Sequence, residues 1–235
     1  MRVSTDSQAL PAGMRSLSLD TGDDPVTIRI VTDINANEPR IDSRMVGSAD
    51  DTPPTVAGEG VDIRVTLGDS GSGLLRFNRT GEIEIILPPG VGRGLKVTVE
   101  QRAGSLSTDA DLDQLVAETE AGSVKLAGSA RRVDISARQG DIETSTRIAV
   151  AESFRAEAES GRITLEFRSA PRLTEATAEG DVTVGVPGPG PYRVRAQSEH
   201  RLGKTTVSVP ETTDPNAAEV TARSRVGNVV VNQLR

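Results

Sequence analysis

Cysteine and tryptophan are absent from this 235-residue chain, and histidine occurs once, as His200. Without cysteine there is no disulfide framework, no zinc–thiolate site and no thiol nucleophile. Only four aromatic residues are present: Phe77, Phe154, Phe167 and Tyr192. The core must therefore be built from Val, Ile, Leu and Ala, which suits stacked β-strands better than a pocket lined by rings.

Basic charge and long apolar runs are also scarce. The chain has 27 Lys and Arg against 34 Asp and Glu, a net charge of −7, so nucleic acid is not an expected partner. No stretch approaches the roughly 20 apolar residues of a membrane span, and the first six residues lack the apolar region of a signal peptide. We expect an extracytoplasmic or envelope-associated location if an anchor precedes Met1, and a cytoplasmic location otherwise.

Glycine, by contrast, is abundant, and seven of the 23 glycines recur every 18–24 residues. Such spacing is typical of a repeat protein. Apolar residues stand two and four positions after most of these glycines, as Val124 and Leu126 do after Gly122. This alternation predicts short strands with one buried face, and each glycine is predicted to lie at the sharp turn between two strands. The seven turn glycines are Gly104, Gly122, Gly140, Gly161, Gly180, Gly203 and Gly227.

A further apolar row precedes the same glycines by seven positions, and it consists of Val97, Leu115, Val133, Phe154, Leu173, Ala196 and Val220. Matching rows across seven units favour a β-solenoid, in which successive repeats stack about 4.8 Å apart. An ordinary antiparallel sandwich is the alternative, with turns every 8–12 residues. One repeat buries too little apolar surface to fold alone, so stability must come from stacking.

Two segments also carry helical features, residues 109–117 and 147–159. The repeat register runs through both of them, so we predict strands at Leu115–Thr119 and Phe154–Ala158. The extra residues near Ile148–Glu152 are expected to form a short loop or helical bulge.

The remaining organisation follows from the need to cover an exposed sheet edge. Residues 1–14 are polar and are predicted to be a disordered lead-in. Residues 15–94 alternate less regularly and are predicted to form an N-terminal β cap, with loops at 50–55 and 68–73. Residues 95–235 are predicted to form the solenoid repeats, so the expected fold class is all-β.

Several segments resemble a known bacterial family. The junction Leu87-Pro88-Pro89-Gly90-Val91 resembles the "LPxGV" motif that opens its repeats, and residues 122–126, 140–144 and 180–184 resemble its recurring "sGdV.v" turn. Residues 220–229 resemble its terminal strands. The family is the bacterial "putative adhesin", or toastrack, β-strand-repeat domain, a domain of unknown function, and the likeness covers residues 15–235. It implies a single-stranded right-handed β-solenoid, often in envelope-associated proteins, with no catalytic residues to carry over.

Three motifs imitate catalytic or phosphate-binding loops. The segment Gly68–Gly73 resembles a protease nucleophile loop, but His200 follows its serine instead of preceding it. Gly203-Lys204-Thr205 resembles the end of a phosphate-binding loop, but no glycine stands five positions earlier and the residues that follow predict a strand. Residues 90–94 also precede a strand, which lacks the helix N-terminus that binds phosphate. All three are therefore interpreted as loops or turns.

Acidic pairs are the remaining chemical candidates, because glycoside cleavage needs two carboxylates about 5–9.5 Å apart. A solvated face is the simpler interpretation in a chain with 34 acids. No calcium-binding nonapeptide repeat is present, and we expect neither a metal nor a cofactor. The pairs two residues apart are Asp141 with Glu143, Glu157 with Glu159, and Glu179 with Asp181.

The sequence thus favours a non-enzymatic binding or scaffolding domain of the bacterial cell envelope. Its predicted binding face is the outward row that follows the glycines: Ser123, Asp141, Arg162 and Asp181. The expected partner is a protein or an envelope polymer, and the oligomeric state is left open. The alternatives are a carbohydrate-active enzyme that uses an acidic pair on the solenoid face, and an intracellular signalling or assembly module that contacts its partner through a sheet edge.

Overall fold

The structure, a computed structural model, describes residues 2–47, 54–67 and 80–234. These residues are all-β, with one short 3-10 helix at Gly92–Gly94. The predicted loop at 68–73 lies outside the described residues, as does most of the one at 50–55. The strands are β1 Arg2–Ala9, β2 Ser16–Asp20, β3 Val26–Thr32, β4 Arg40–Gly47, β5 Thr55–Glu59, β6 Asp62–Thr66, β7 Thr80–Leu87, β8 Lys96–Ala103, β9 Leu106–Ala121, β10 Val124–Gln139, β11 Ile142–Thr144, β12 Ile148–Ser160, β13 Ile163–Ser169, β14 Leu173–Ala178, β15 Val182–Pro187, β16 Arg193–Ser198, β17 Thr205–Ser208, β18 Glu219–Ser224 and β19 Val229–Leu234.

Two compact units divide the chain, Met1–Gly122 and Ser123–Arg235. The first unit carries 11 basic and 20 acidic residues, whereas the second carries 16 basic and 14 acidic residues. The acidic excess of the whole chain therefore belongs to the N-terminal unit.

The C-terminal unit consists of two stacks of parallel strands. The first stack has the order β10, β12, β14, β18, β16, and the second has the order β10, β11, β13, β15, β19, β17. The long strand β10 contributes Val124–Leu126 to the second stack and its later residues to the first. A repeat is one strand of the first stack, a glycine turn and the next strand in the second stack, as in β12 and β13.

Repeats in this unit do not stack wholly in chain order. The final repeat, β18 with β19, lies between the repeat β14–β15 and the repeat β16–β17. The segment Pro187-Gly188-Pro189-Gly190-Pro191 therefore carries the chain past one repeat position, about 9.6 Å at sheet spacing. A strictly sequential stack, as the glycine spacing predicts, is wrong at this point.

The N-terminal unit shows the same arrangement at its own end. Its first repeat, β2 with β3, lies between β6–β7 and β8–β9, again with parallel pairing. Residues 88–95, which are rich in Pro and Gly, carry the chain past one repeat between β7 and β8. Strand β9 joins both stacks, since Leu106–Asp109 pair with β3 and the later residues pair with β8.

Antiparallel strands cover the outer repeat of the N-terminal unit. Strand β5 pairs with β6, β4 pairs with β7, and β1 pairs with β4 along its full length. The predicted disorder of residues 1–14 is therefore wrong over Arg2–Ala9. This polar segment is ordered by main-chain hydrogen bonds to the open edge of β4. Because such bonds do not depend on the side chains, the sequence shows no hydrophobic pattern there.

Strand predictions in the ambiguous segments have mixed outcomes. The strands at Leu115–Thr119 and Phe154–Ala158 are confirmed as parts of β9 and β12, so the helical features of both segments do not prevail. The loop or bulge predicted near Ile148–Glu152 is wrong, because β12 begins at Ile148. In its pairing with β10 the register shifts between Val150 and Ser153, so one extra residue of β12 is absorbed by an irregularity within the strand.

The apolar row of the first stack differs at two positions from the row predicted seven residues before each glycine. Thr174 lies between Phe154 and Val220, and Val194 pairs on the far side of Val220. Counting back from the glycines instead placed Leu173 and Ala196 in this row. The count fails because the residues between strand and glycine vary in number, whereas the pairing register is set by burial.

Aliphatic rows fill the inside of the C-terminal unit, as the composition predicts. Val133, Ile142, Ile163 and Val182 are all buried. The rings of Phe154 and Phe167 meet edge to face with centroids 5.3 Å apart and planes at 80°, a favourable aromatic geometry. The few aromatic residues thus add local packing to a core made of Val, Ile, Leu and Ala.

Candidate functional site

The predicted outward row follows the glycine turns of the C-terminal unit. Hydrogen bonds from Val124 N to Asp141 O (2.9 Å), from Ile142 N to Arg162 O (3.0 Å) and from Ile163 N to Asp181 O (2.9 Å) place these turns side by side. The row then continues to Asn228, whose carbonyl oxygen accepts from Val182 N at 2.9 Å.

Side chains of this row bond mainly to one another. Asp141 accepts the Arg162 backbone N–H at 3.0 Å through Oδ1 and the Arg162 Nε–H at 2.9 Å through Oδ2. Asp181 Oδ1 accepts the Asn228 backbone N–H at 2.7 Å, and Asn228 Oδ1 accepts the Lys204 N–H at 2.9 Å. Most of these polar atoms therefore tie neighbouring repeats together.

Close approach of backbones explains the turn glycines as much as their dihedral angles do. A Cβ on Gly180 would lie 2.6 Å from Gly161 O, and a Cβ on Gly161 would overlap Gly140 O. Positive φ occurs at Gly104 (116°) and Gly140 (145°), among others of the row, but not at Gly180, Gly203 or Gly227. The turns therefore favour glycine largely because the next repeat leaves no room for a side chain.

Among the described residues, three of the six carboxylates in the predicted acidic pairs on the outer face lie beside a basic residue one repeat away. Glu143 lies 3.0 Å from Lys125 Nζ, and Glu159 lies 3.7 Å from Arg138 Nε. Although partial burial acts to raise it, hydrogen bonds from the Arg162 backbone and side chain hold the pKa of Asp141 below its usual value. A glycosidase acid needs the opposite shift.

A second ion-paired group behaves in the same way. Hydrogen bonds from Arg132 and Arg131 lower the pKa of Glu152, and the Arg132 Nε lies 2.6 Å from the carboxylate.

Across residues 2–47, 54–67 and 80–234, no group of three His, Asp or Glu side chains is placed to hold a metal ion. No helix in the same ranges is long and apolar enough to cross a membrane.

A polar groove that the sequence did not predict lies in the N-terminal unit. Its volume is about 560 Å³, and strands β1, β4 and β7 line it. Cross-strand pairing sets Ser7 beside Asp42 and Asp42 beside Glu84 in one row, with Thr5, Arg44 and Glu82 in the next. The lining residues are Thr5, Asp6, Ser7, Arg40, Asp42, Ser43, Arg44, Glu82 and Glu84.

Part of this groove is internally paired and part of it is not. Asp42 accepts from Ser7 Oγ at 2.5 Å and from Arg40 Nε at 3.1 Å, and Glu84 lies 3.5 Å from Arg29 on β3. In the described part of the chain, the side chains of Thr5, Arg44 and Glu82 have no hydrogen-bond or ion-pair partner. They are exposed, and they offer a hydroxyl, a guanidinium donor and a carboxylate acceptor within one groove.

The alternation of charge on β4 and β7 is the sequence signal that could have pointed to this groove. Arg40, Asp42 and Arg44 occupy every second position of β4, and Glu82 and Glu84 do so on β7. The third wall could not be predicted in the same way, because β1 lacks a buried face and was expected to be disordered.

The fold is shared with solved bacterial structures over the full length of the chain. A "putative adhesin" from Parabacteroides merdae superimposes with a TM-score of 0.56 at 10% identity, covering 100% of this chain and 97% of its own. A "putative lipid binding protein" from Parabacteroides distasonis has a TM-score of 0.50 at 11% identity, covering 99% of this chain and 97% of its own. At such identities the likeness establishes a common fold. No family model and no curated protein matches the sequence.

Proposed function

We propose that this chain is a non-enzymatic, adhesin-like binding domain of the bacterial cell envelope. In this proposal, the stacked repeats of each unit form a right-handed β-solenoid, the final repeat of the C-terminal unit is inserted, and the antiparallel strands β1, β4 and β5 form the N-terminal cap. The ligand is a neutral or amino-bearing saccharide of an envelope polymer, held in the groove of β1, β4 and β7.

The groove is the observation that carries this proposal. Arg44 can donate to sugar oxygens, Glu82 can accept from sugar hydroxyls or an amino group, and Thr5 can do both. Two basic and four acidic residues line the groove, so its charge opposes an anionic polymer. Among the described residues, no aromatic side chain lines the groove. We therefore expect weak binding at one site that gains strength when many copies meet one polymer.

A catalytic role is less well supported. The pKa of Asp141 lies below its usual value, and Asp42 already accepts from Ser7 and Arg40. Two solved structures that share this fold are named "putative adhesin" and "putative lipid binding protein", and neither name is that of an enzyme. The predicted row Ser123, Asp141, Arg162 and Asp181 remains a second candidate binding face, although most of its polar atoms join repeats.

Binding to purified neutral and amino-sugar polysaccharides of bacterial envelopes, measured by biolayer interferometry, tests the proposal. We expect Arg44→Ala and Glu82→Gln to weaken binding about tenfold each, since each removes a charged hydrogen bond. Arg64→Ala is the matched control, because Arg64 is an exposed arginine of the same unit outside the groove. Loss of binding only in Asp141→Asn and Arg162→Ala would transfer the site to the row.

Two further measurements separate the alternative functions. Release of reducing ends during the same incubations would indicate a carbohydrate-active enzyme, and Asp141→Asn with Glu143→Gln would then test the acidic pair. Cell fractionation distinguishes the intracellular module, because an envelope domain predicts no cytosolic pool. Absence of binding to every polysaccharide would contradict the proposed ligand.

A further inference from the structure

Two apolar side chains project from neighbouring turns of the C-terminal unit. Leu202, in the turn between β16 and β17, is 83% exposed, and Val226, in the turn between β18 and β19, is 51% exposed. Burial of apolar surface normally stabilises a fold, so neither side chain is accounted for by the stability of this unit. A single exposed apolar side chain is common on protein surfaces, so the significance of Leu202 and Val226 depends on their neighbouring turns and on the charges around them.

Hydrogen bonds hold these two turns in contact. Strands β17 and β19 pair in parallel with Thr205 beside Val229, which sets the preceding turns next to each other. Ser198 Oγ donates to Gly227 O at 2.7 Å, and Val229 N donates to Lys204 O at 2.8 Å. Leu202 and Val226 therefore project from adjacent, fixed turns.

Unpaired basic residues surround the two apolar side chains. Arg201 and Lys204 flank Leu202, while Arg223 and Arg225 precede Val226, and all four are exposed. Segments 198–205 and 222–228 contain these four basic residues and one acidic residue, Glu199. None of the four basic side chains has a carboxylate partner among the described residues.

Most other basic residues of the C-terminal unit form ion pairs. Lys125, Arg132, Arg155 and Arg162 each lie within 3.0 Å of a carboxylate on the neighbouring repeat. Arg168 and Arg172 are exposed and, like the four turn residues, have no carboxylate partner in the described part of the chain. Unpaired positive charge therefore concentrates at the turns that carry Leu202 and Val226.

We infer that these two turns form a contact site for an anionic lipid bilayer surface. We name Arg201, Leu202, Lys204, Arg223, Arg225 and Val226 the basic turn patch. Apolar side chains that project among Lys and Arg enter the acyl boundary while the cations meet anionic headgroups. Cations near such a surface each add to binding, and the attraction falls with salt.

This inference is independent of the saccharide groove, since it concerns other residues in the other unit and a different ligand. An anionic polysaccharide would use the four cations of the patch, but it would have no use for an exposed leucine. The leucine therefore favours the bilayer, and a polyanion becomes an outcome of the test.

Vesicle co-sedimentation of the full chain provides that test, with neutral phosphatidylcholine vesicles and with vesicles containing 30% phosphatidylglycerol. We expect binding only to the anionic vesicles, weakening as salt is raised. Leu202→Ser should weaken it about tenfold, and the double variant Arg201→Gln, Arg225→Gln should weaken it about 25-fold, from about fivefold per cation. Because these side chains are exposed, the variants should keep the parent thermal midpoint.

Matched controls are available within the chain. Ile34 is also 83% exposed, but it lies in the acidic N-terminal unit next to Asp33, so Ile34→Ser should leave vesicle binding unchanged. The double variant Arg168→Gln, Arg172→Gln removes two unpaired cations outside the patch and should cost much less than Arg201→Gln, Arg225→Gln.

Three outcomes would overturn the inference. The first is absence of binding to anionic vesicles at low salt. The second is equal weakening by the patch variants and their controls, which would indicate a general charge effect. The third is loss of binding in Arg201→Gln, Arg225→Gln together with an unchanged Leu202→Ser and binding to dextran sulfate, which would assign the patch to a polyanion.

Discussion

The edge repeat β6–β7 of the N-terminal unit and the edge repeat β16–β17 of the C-terminal unit are completed in opposite ways. In the N-terminal unit, β6 and β7 are covered by the antiparallel strands β5 and β4, and β1 covers β4 in turn. In the C-terminal unit, the described residues pair β16 and β17 only with β18 and β19, apart from an isolated bridge between Tyr192 and Glu211. The edge of the N-terminal unit is therefore closed by main-chain pairing, whereas the edge of the C-terminal unit is left to the short strands β16 and β17.

Both units nevertheless place the repeat nearest the chain terminus second from the edge. The repeat β2–β3 has parallel neighbours on both sides, and so does β18–β19. Terminal segments usually fray first. In the C-terminal unit, fraying should instead begin at β16 and β17, because each has a neighbour on one side only.

The largest expected effect on the free energy of unfolding comes from replacing a turn glycine by alanine, and it should differ between an inner and an outer repeat. Gly161→Ala places a Cβ against the Gly140 backbone, and we expect about 3 kcal/mol of destabilisation. Gly203→Ala, in the outer repeat, meets the movable Ser198 side chain as well as Gly227 O. We expect only about 1 kcal/mol there, because the edge repeat can shift outward. Urea unfolding measures both values, and equal costs would break the comparison.

A smaller effect of opposite sign is expected at Thr174. Its side chain is fully buried and, within the described structure, its Oγ1 has no hydrogen-bond partner. Thr174→Val keeps the shape and removes an unsatisfied hydroxyl, so it should raise the free energy of unfolding by about 1 kcal/mol. Thr206→Val, at an exposed position of the edge strand β17, should change it by less than about 0.5 kcal/mol. Destabilisation by Thr174→Val would show that this hydroxyl has a partner.

The smallest effect concerns acid titration of the link between Asp141 and Arg162. Because the folded-state pKa of Asp141 is lowered from 3.8, its contribution is present above that value and is lost as pH falls through the folded-state pKa. Asp141→Asn should therefore be less stable than the parent at pH 7 by a few tenths of a kcal/mol. The two thermal midpoints should converge as the pH falls below 3.8 and through the folded-state pKa.

The repeat itself could be predicted from the sequence, because burial imposes period-two alternation and the close approach of repeats imposes glycine at fixed intervals. The strands at Leu115–Thr119 and Phe154–Ala158 followed from that register alone. The order of the repeats could not be predicted, since residues 220–231 alternate in the same way whether they form the last layer or an inner one. An inner layer and an edge layer differ in how deeply their residues are buried, and that difference exists only once the repeats have stacked.

The candidate sites were less predictable for a related reason. The row Ser123, Asp141, Arg162 and Asp181 stays a prediction as a binding face, and the hydrogen bonds between its members depend on which repeats are neighbours. The groove needs β1, whose order comes from backbone pairing with β4 and leaves no trace in hydrophobicity. The basic turn patch arises because the final repeat brings Arg225 and Val226 beside Arg201 and Leu202, which are 24 residues earlier in the sequence.

Hydrogen exchange followed by mass spectrometry tests the central claim most directly, namely that the final repeat is inserted behind an open edge. We predict that amides of Thr205–Ser208 and Arg193–Ser198 exchange first, while those of Glu219–Ser224 and Val229–Leu234 stay protected despite lying at the chain terminus. The covered strand Thr80–Leu87 should be protected as well. Exchange of residues 219–234 before residues 193–208 would contradict the account.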